Sequence, residues 1–420
     1  MSESDFLSEL EWRGMLVQQT EGASKALASA SIAGYAGFDP TAASLHVGSL
    51  VPIMGLVHLQ RTGHRACALV GGGTGMIGDP SGKTTERTLQ SVDQVMANTE
   101  SIGAQLSRFL DFSSSARGML RNNAEWLLKL SAIEFMRDVG KHLTVNYMMA
   151  KDSVKSRMEA GISYTEFSYM LLQAYDFVEL RRRDGVTLQV GGSDQWGNMT
   201  AGVELIRRMD GAEAHAVTFP LLTTSSGAKF GKTEAGAVWL DPELTSPYRF
   251  YQFWMSTDDR DAGKYMRMMT LMDRSTISGL EQEILDHPER RESQSALAFE
   301  ITSRVHGDKA ASVAREVSQA LFGGGDITLL SEPALAALAR EVPGATANRA
   351  EAVTVADLFV RAGLVKSKGE ARRVAEQGGA YVNGARVAAT LAFGDITPLA
   401  GSYVLLRKGA RDYAMVQVVS

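Results

Sequence analysis

The sequence predicts an α/β fold in which a parallel-sheet domain comes first, followed by a small α-helical domain and a C-terminal α+β module. Three observations carry this. Short apolar strands at Ser31–Phe38, Arg65–Val70 and Val186–Val190 each run into a small-residue turn, and two of those turns open onto helices. Residues 247–321 then keep helical spacing throughout, and residues 353–420 end in strand-like pieces around Tyr381 and Tyr403. Strand–turn–helix alternation builds parallel sheets, whose ligands collect beyond the carboxyl ends of the strands.

Leu7–Glu21 has amphipathic helical spacing through Leu7, Leu10, Met15 and Leu16, and carries no visible chemistry. In the opening strand–turn–helix, Asp39-Pro40-Thr41 breaks the strand and Ser44 can cap a helix from Leu45 to about Gln60. His46, Gly48 and Ser49 then fall in its first turn, where unsatisfied N–H groups favour phosphate and Gly48 admits close approach to the backbone. Taken alone, a His-x-Gly is more often a histidine that caps or packs beside a glycine that is merely tolerated.

The strand Arg65–Val70 runs into the glycine-rich turn Gly71–Thr84. Gly73, Gly75 and Gly78 satisfy the dinucleotide-binding pattern, yet Asp79-Pro80-Ser81-Gly82 follows where that fingerprint needs a helix. Gly82-Lys83-Thr84 lacks the glycine that a P-loop requires, because position 77 is Ile. The remaining readings are a structural turn or a substrate loop, and glycines beside Asp79, Lys83 and Arg87 favour the loop.

Residues 88–145 look mostly helical around a short apolar Met119-Leu120, Asn122–Trp126 reads as a polar loop or helix start, and Lys151–Arg157 reads as a solvated face. Ser163–Glu166 is a capping box that starts a helix Tyr164–Leu180. Phe167, Met170, Leu171, Ala174, Phe177 and Val178 wrap most of its circumference, leaving Tyr169, Gln173 and Asp176 as one polar stripe. A solvent face would carry Lys, Glu or Arg, so the stripe is read as lining a buried polar pocket.

The strand Val186–Val190 ends in Gly191–Asn198 before a helix from about Met199 to Met209, which sets Gly192, Asp194 and Gln195 at a strand's carboxyl end. Ser193 or Asp194 could also be a plain N-cap. Further on, Lys229-Phe-Gly-Lys-Thr233 offers two lysines beside a glycine, a cation pair suited to pyrophosphate, although a short basic stretch taken alone is more often a surface loop.

Composition sets outer bounds. The chain is 45% hydrophobic and 22% charged, ordinary for a globular protein. Its single cysteine, Cys67, excludes an internal disulfide and fits a reducing cytoplasm. The N-terminus is acidic with no apolar signal, and no run reaches membrane-spanning length, so neither secretion nor a membrane partner is expected. Residues 353–420 carry a net charge of +4, leaving −9 on the rest. The expected divisions are 1–222, 223–322, a loose connector 323–352, and the basic module 353–420.

Phe38-Asp-Pro-Thr-(x)3-Leu-His-Val-Gly48 closely resembles the first signature of class I aminoacyl-tRNA synthetases, and Lys229–Thr233 resembles the second. Tyr35–Thr41 and Tyr164–Phe177 are similar to the bacterial tyrosyl branch, and 353–420 resembles the small RNA-binding domain first known from a small-subunit ribosomal protein. The resemblance covers nearly the whole chain. It implies a Rossmann-like catalytic domain with a helical insertion, an anticodon-side helical domain and an RNA-binding domain. The implied reaction joins L-tyrosine and ATP into tyrosyl-adenylate plus pyrophosphate, then passes tyrosine to the 3′-terminal adenosine of tRNA(Tyr).

The same resemblance assigns residues. Tyr35 and Asp176 meet the phenol; Asp79, Tyr169 and Gln173 the ammonium; Gln189 and Gln195 also contact the amino acid. ATP falls to Asp39, Thr41, His46, Gly48, Ser49, Gly192, Asp194 and Lys232, with Asp194 on the ribose. His46, Lys83, Arg87, Lys229, Lys232 and Thr233 are the implied catalytic groups, stabilising the phosphates; the substrate carboxylate attacks, so no protein nucleophile is required. Lys366, Lys368, Arg372, Arg373 and Arg386 are the implied grip on RNA phosphates. Family members use Mg²⁺; with no dedicated metal cluster in view, any ion rides on ATP. A homodimer in the cytoplasm is implied, with no DNA partner.

Position 49 departs from the family pattern, since serine stands where a second histidine is usual and cannot carry positive charge. Three competitors weigh less. A tryptophanyl ligase would have little use for Tyr35 and Asp176 aimed at a phenol, and a nicotinamide-dependent oxidoreductase is discouraged by Pro80 and Gly82. A non-catalytic RNA-binding scaffold would not need the phosphate ligands that are present.

Overall fold

The structure, a computed structural model, describes residues 5–81, 88–158, 161–225, 227, 230–233, 236–322, 325–410 and 412–419, with the backbone alone at 153, 156, 232 and 233. The chain divides into two units: Met1–Thr245 with Ser256–Leu297, and Ser246–Met255 with Ala298–Ser420.

The first unit is built on six strands: β1 (Gln18–Gln19), β2 (Ala33–Phe38), β3 (Arg65–Val70), β4 (Gly118–Asn122), β5 (Val186–Gly192) and β6 (His215–Phe219). They lie in the order β1-β6-β5-β2-β3-β4, all parallel except the edge strand β1. The chain leaves β2 toward β3 on one side and later returns to β5 on the other, so a crevice opens where the order reverses. Register sets Tyr35 beside Cys67 on one neighbour and Gln189 on the other. Tyr35, Leu69, Trp126, Phe177, Val178 and Leu205 belong to one buried core packed between the sheet and the helices Tyr164–Asp184 and Trp196–Asp210.

Local pattern located β3 at its observed bounds and the apolar hearts of β2 and β5, but several elements differ from expectation. The first helix stops at Trp12 because Gly14, at φ +68, turns the chain toward β1. The helix expected from Leu45 begins at Leu50 after a 3-10 turn, Val47–Ser49. Its entry is capped by His46, whose Nδ1 accepts from the Gly48 N–H at 3.0 Å. Ser44 is not the cap: its buried hydroxyl donates to Leu45 O and accepts from the Asp241 N–H. The edge strand β4 was hidden because only Met119 and Leu120 in it are strongly apolar. The helix expected near Met199 starts at Trp196, after a 3-10 turn at Ser193–Gln195.

The helix Tyr164–Asp184 is entered at Ser163, whose side chain accepts from the Glu166 N–H, and it runs past Leu180 to the left-handed Gly185. The Glu166 carboxylate pairs with Arg157 at 2.9 Å, both side chains only 4% exposed. Arg157 therefore does not belong to a solvated face; the charge is buried because its partner is buried with it. Beyond β6, β7 (Lys232–Thr233) and β8 (Gly236–Ala237) form a small antiparallel ribbon.

In the second unit the described part of the stretch expected to be a loose connector, 325–352, is ordered structure. It carries the helix Glu332–Glu341, capped by Ser331, and the strand β9 (Gly344–Asn348). With β10 (Ala380–Val382), β11 (Ala385–Arg386), β12 (Tyr403–Lys408) and β13 (Asp412–Val419), β9 completes a sheet ordered β11-β10-β12-β13-β9. Leu335 and Leu338 pack with Val317, Leu405 and Met415, so a boundary at 353 would cut through one core. The Ala-, Gly- and Pro-containing composition of this stretch gives little periodic contrast, and β9 finds its parallel partner only in the far C-terminal strand. The helices Val355–Arg361 and Lys368–Glu376 cover the sheet through Leu358, Phe359 and Ala371.

Candidate active site

A cleft of about 670 Å³ opens beyond the carboxyl ends of β2 and β5. Every residue expected to meet tyrosine or ATP whose side chain is described lines it, from Tyr35, Asp39 and Thr41 to Gln189, Gly192, Asp194 and Gln195. Lys83, Arg87 and Lys229 lie outside the described residues, and Lys232 and Thr233 are described only as the backbone of β7.

At the base of the cleft, Tyr35 and Gln189 stand side by side on adjacent strands, 1% and 3% exposed. The Tyr35 hydroxyl and Gln189 Oε1 are buried without a hydrogen-bond partner. Buried polar groups are normally paired, so two orphans facing a cleft mark a site shaped for a polar ligand. Asp176 faces the same space from its helix. Its Oδ1 accepts from Trp126 Nε1 at 2.8 Å and its Oδ2 from Asn123 Nδ2 at 2.9 Å. Burial pushes the Asp176 carboxyl up to about 8, with those two hydrogen bonds opposing the rise. Burial, reinforced by Asp176, also pushes the Tyr35 phenol well above its ordinary range.

Sequence reasoning missed Asn123 and Trp126. The available signal was their position just past β4, at the ligand-bearing end of the sheet, but β4 itself had gone unseen.

Toward the cleft mouth, the Tyr169 hydroxyl donates to Asp39 Oδ2 at 2.8 Å, and Asp39 Oδ1 accepts from Thr74 Oγ1 at 2.8 Å. Gly71 makes room for this pair: a Cβ there would collide with the Asp39 carboxylate and the Thr74 hydroxyl. Asp79 accepts from Gln195 Nε2 at 2.6 Å and from the Ser81 N–H at 2.9 Å. Asn198, also unforeseen, donates to Gln173 Oε1 at 3.0 Å and ties the polar stripe to the helix after β5. Burial, then the neighbouring Asp79, raises the Asp194 carboxyl.

The two signature segments meet through backbone. The Val47 N–H donates to Val238 O at 3.0 Å, and the Val238 N–H to Gly231 O at 3.1 Å. Gly231, at φ +77, has no room for a side chain, because a Cβ would lie 2.6 Å from Val47 Cγ2. Because His46 Nδ1 accepts from the Gly48 N–H, a neutral imidazole carries its proton on Nε2. Ser49 and Gly48 line the cleft next to it.

In the second unit, Lys366, Arg372 and Arg373 are exposed around the helix Lys368–Glu376. Lys368 is engaged with Asp357 at 2.5 Å and holds that carboxyl down to about 2, while Arg386 Nε donates to the Tyr381 hydroxyl at 3.0 Å.

The reversed parallel sheet and the paired signature turns define the class I tRNA synthetase fold. The family model "tRNA synthetases class I (W and Y)" matches residues 28–323. The model for a tyrosine–tRNA ligase SYY-like C-terminal domain matches 334–416 and so takes in β9. The chain is 52% identical to the tyrosine–tRNA ligase of Roseiflexus castenholzii over 98% of this chain and 99% of that one. It is also 52% identical to that of Anaeromyxobacter dehalogenans, over 99% of each chain. A crystal structure of a C-terminally truncated Aspergillus nidulans mitochondrial tyrosyl-tRNA synthetase superposes with TM-score 0.69 at 31% identity, covering 76% of this chain and 94% of that one. The chain belongs to the tyrosine–tRNA ligase family.

Proposed function

We propose that this cleft activates L-tyrosine with ATP, forming tyrosyl-adenylate and pyrophosphate, and that the chain then transfers tyrosine to the 3′-terminal adenosine of tRNA(Tyr). The observation that carries the pocket reading is the pairing of an orphaned Tyr35 hydroxyl with a buried Asp176 at the closed end of the cleft. A phenol offers one donor and one acceptor, which Asp176 and Tyr35 complement. Phenylalanine would leave both unpaired in a desolvated site, a large discrimination against it.

With the phenol so held, Asp79, Tyr169 and Gln173 receive the ammonium, and Gln189 and Gln195 complete the contacts to the amino acid. The tyrosine carboxylate attacks the α-phosphorus of ATP in line, the bond to the bridging oxygen breaks, and pyrophosphate leaves. His46 contributes a neutral Nε2–H donor to the phosphates, and Lys83, Arg87, Lys229, Lys232 and Thr233 supply the remaining donors and charge. Thr41, Gly48, Ser49 and Gly192 border the nucleotide, Asp194 binds its ribose, and Asp39 faces it while holding Tyr169. A hydroxyl of the terminal adenosine then attacks the adenylate carbonyl and AMP departs.

Among the described residues no group of three His, Cys, Asp or Glu gathers as a metal site, and Mg²⁺ on this reading enters with ATP. Exposed Lys366, Arg372 and Arg373, with Lys368 and Arg386, grip tRNA phosphates. The protein acts as a cytoplasmic homodimer: Leu128, Ile133, Met136, Val145, Met149, Met158 and Tyr164, all exposed, fall within one stretch of the first unit and supply apolar surface for a second copy. Among the described residues no helix is long and apolar enough to cross a membrane.

The test is amino-acid-dependent exchange between ATP and labelled pyrophosphate, followed by charging of tRNA(Tyr). Tyrosine supports both. Comparable exchange with phenylalanine would overturn the pocket assignment.

A further inference from the structure

We propose that Thr74 is a positioning residue for tyrosine selection, acting on Asp176 through Asn123 and on Tyr169 through Asp39. The proposal rests on the tyrosine pocket proposed above and adds a link between its two ends.

Asn123 spends both amide protons, one on Asp176 Oδ2 at 2.9 Å and one on Thr74 Oγ1 at 2.8 Å. Its Oδ1 accepts from the Gly73 N–H at 2.7 Å, so a flipped amide would set donor against donor. The Thr74 hydroxyl, already accepting from Asn123, gives its single proton to Asp39 Oδ1 at 2.8 Å. Asp39 Oδ2 in turn accepts from Tyr169. The result is an unbroken relay with one possible polarity, a carboxylate acceptor on each side and Thr74 in its middle. Thr74 and Asn123 are 2% and 1% exposed, so water does not substitute for a lost link.

The relay joins the phenol end of the site to the ammonium end. One amino acid must fit both ends at once, so the 3-10 turn that carries Thr74 sets the span between them. Losing the Thr74 hydroxyl takes an acceptor from Asn123 and a donor from Asp39 together. Asp176 keeps its bonds from Trp126 and Asn123, but the Asn123 amide that holds it has lost one of its own anchors.

The test uses the full-length chain and tyrosine-dependent pyrophosphate exchange. Thr74→Val raises KM for tyrosine by roughly tenfold or more, the scale of lost hydrogen bonds to charged groups, and narrows the preference for tyrosine over phenylalanine. KM for ATP changes less, and Thr74→Ser restores both tyrosine readouts. If Thr74→Val folds poorly, Asn123→Asp, which keeps the shape but turns a donor into an acceptor, should show the same loss of preference. A Thr74→Val protein with wild-type KM and preference overturns the relay. So does one that loses tyrosine and ATP affinity equally with its preference intact, since that is a merely structural effect. A wild-type chain that exchanges equally with phenylalanine would sink the pocket reading itself, and the relay with it.

Discussion

The Tyr169 hydroxyl donates to Asp39 Oδ2 across 2.8 Å, tying the middle of the long helix to the turn after β2. Its only proton is committed there, and its oxygen lone pairs remain to accept from a substrate ammonium. Tyr169→Phe should raise KM for tyrosine by roughly tenfold or more, as for a hydrogen bond to a charged group, with a smaller change in kcat. Exchange kinetics over a tyrosine titration check this; an unaltered KM would mean that the ammonium is held elsewhere.

Tyrosine binding should depend on pH through Asp176. The phenol donates to the ionised carboxylate, whereas burial holds the free site's carboxyl up to about 8. Below that pH, binding must expel a proton, so affinity for tyrosine rises as pH climbs toward 8 and then levels. Calorimetric titration in buffers of different ionisation heat should record proton release at pH 7. Absence of release would show that Asp176 is already ionised in the free protein.

The Arg157–Glu166 pair lends itself to a stability test. Arg157→Ala removes the cation that faces a buried carboxylate and Glu166→Ala the carboxylate that faces a buried cation, and each should cost about 3–5 kcal/mol by denaturant unfolding. Replacing both with apolar residues of similar volume, Arg157→Met with Glu166→Leu, should recover most of the loss. A double variant as unstable as the singles would show that the pair is needed for more than mutual neutralisation.

Gly231→Ala should separate chemistry from binding. The new methyl group would press on Val47, and a left-handed backbone costs a non-glycine residue about 1–3 kcal/mol. If the cost falls on docking Lys232 at the His46 turn, kcat drops by roughly tenfold while KM for tyrosine holds. Single-turnover adenylate formation measures it, and an unchanged rate would show that this close approach is not needed for chemistry.

The basic surface of the second unit predicts a salt signature. Arg372→Glu with Arg373→Glu should leave tyrosine-dependent exchange intact and weaken tRNA charging. The slope of log affinity against log salt should fall by about 1–2. Undiminished tRNA binding by this variant at physiological salt would move the RNA grip to another face.

What the sequence determined by itself were features written into neighbouring residues. Continuous apolar runs marked β2, β3 and β5, and helical spacing exposed the Tyr169, Gln173 and Asp176 stripe before any fold was known. The ordered signature motifs pointed to the family that the comparisons show. Only the tertiary structure decided what those side chains do to one another. Asn123 and Trp126 reach Asp176 across 53 and 50 residues, Tyr169 reaches Asp39 across 130, and the second signature docks on the first through Val238. Arg157 looked like a solvated charge because its buried partner stands on another helix. Likewise β9 looked like connector because the strand that completes it, β13, ends the chain. Periodicity records which face of an element is apolar; hydrogen-bond partners and parallel strand neighbours are chosen by chain closure over distances that no local pattern encodes.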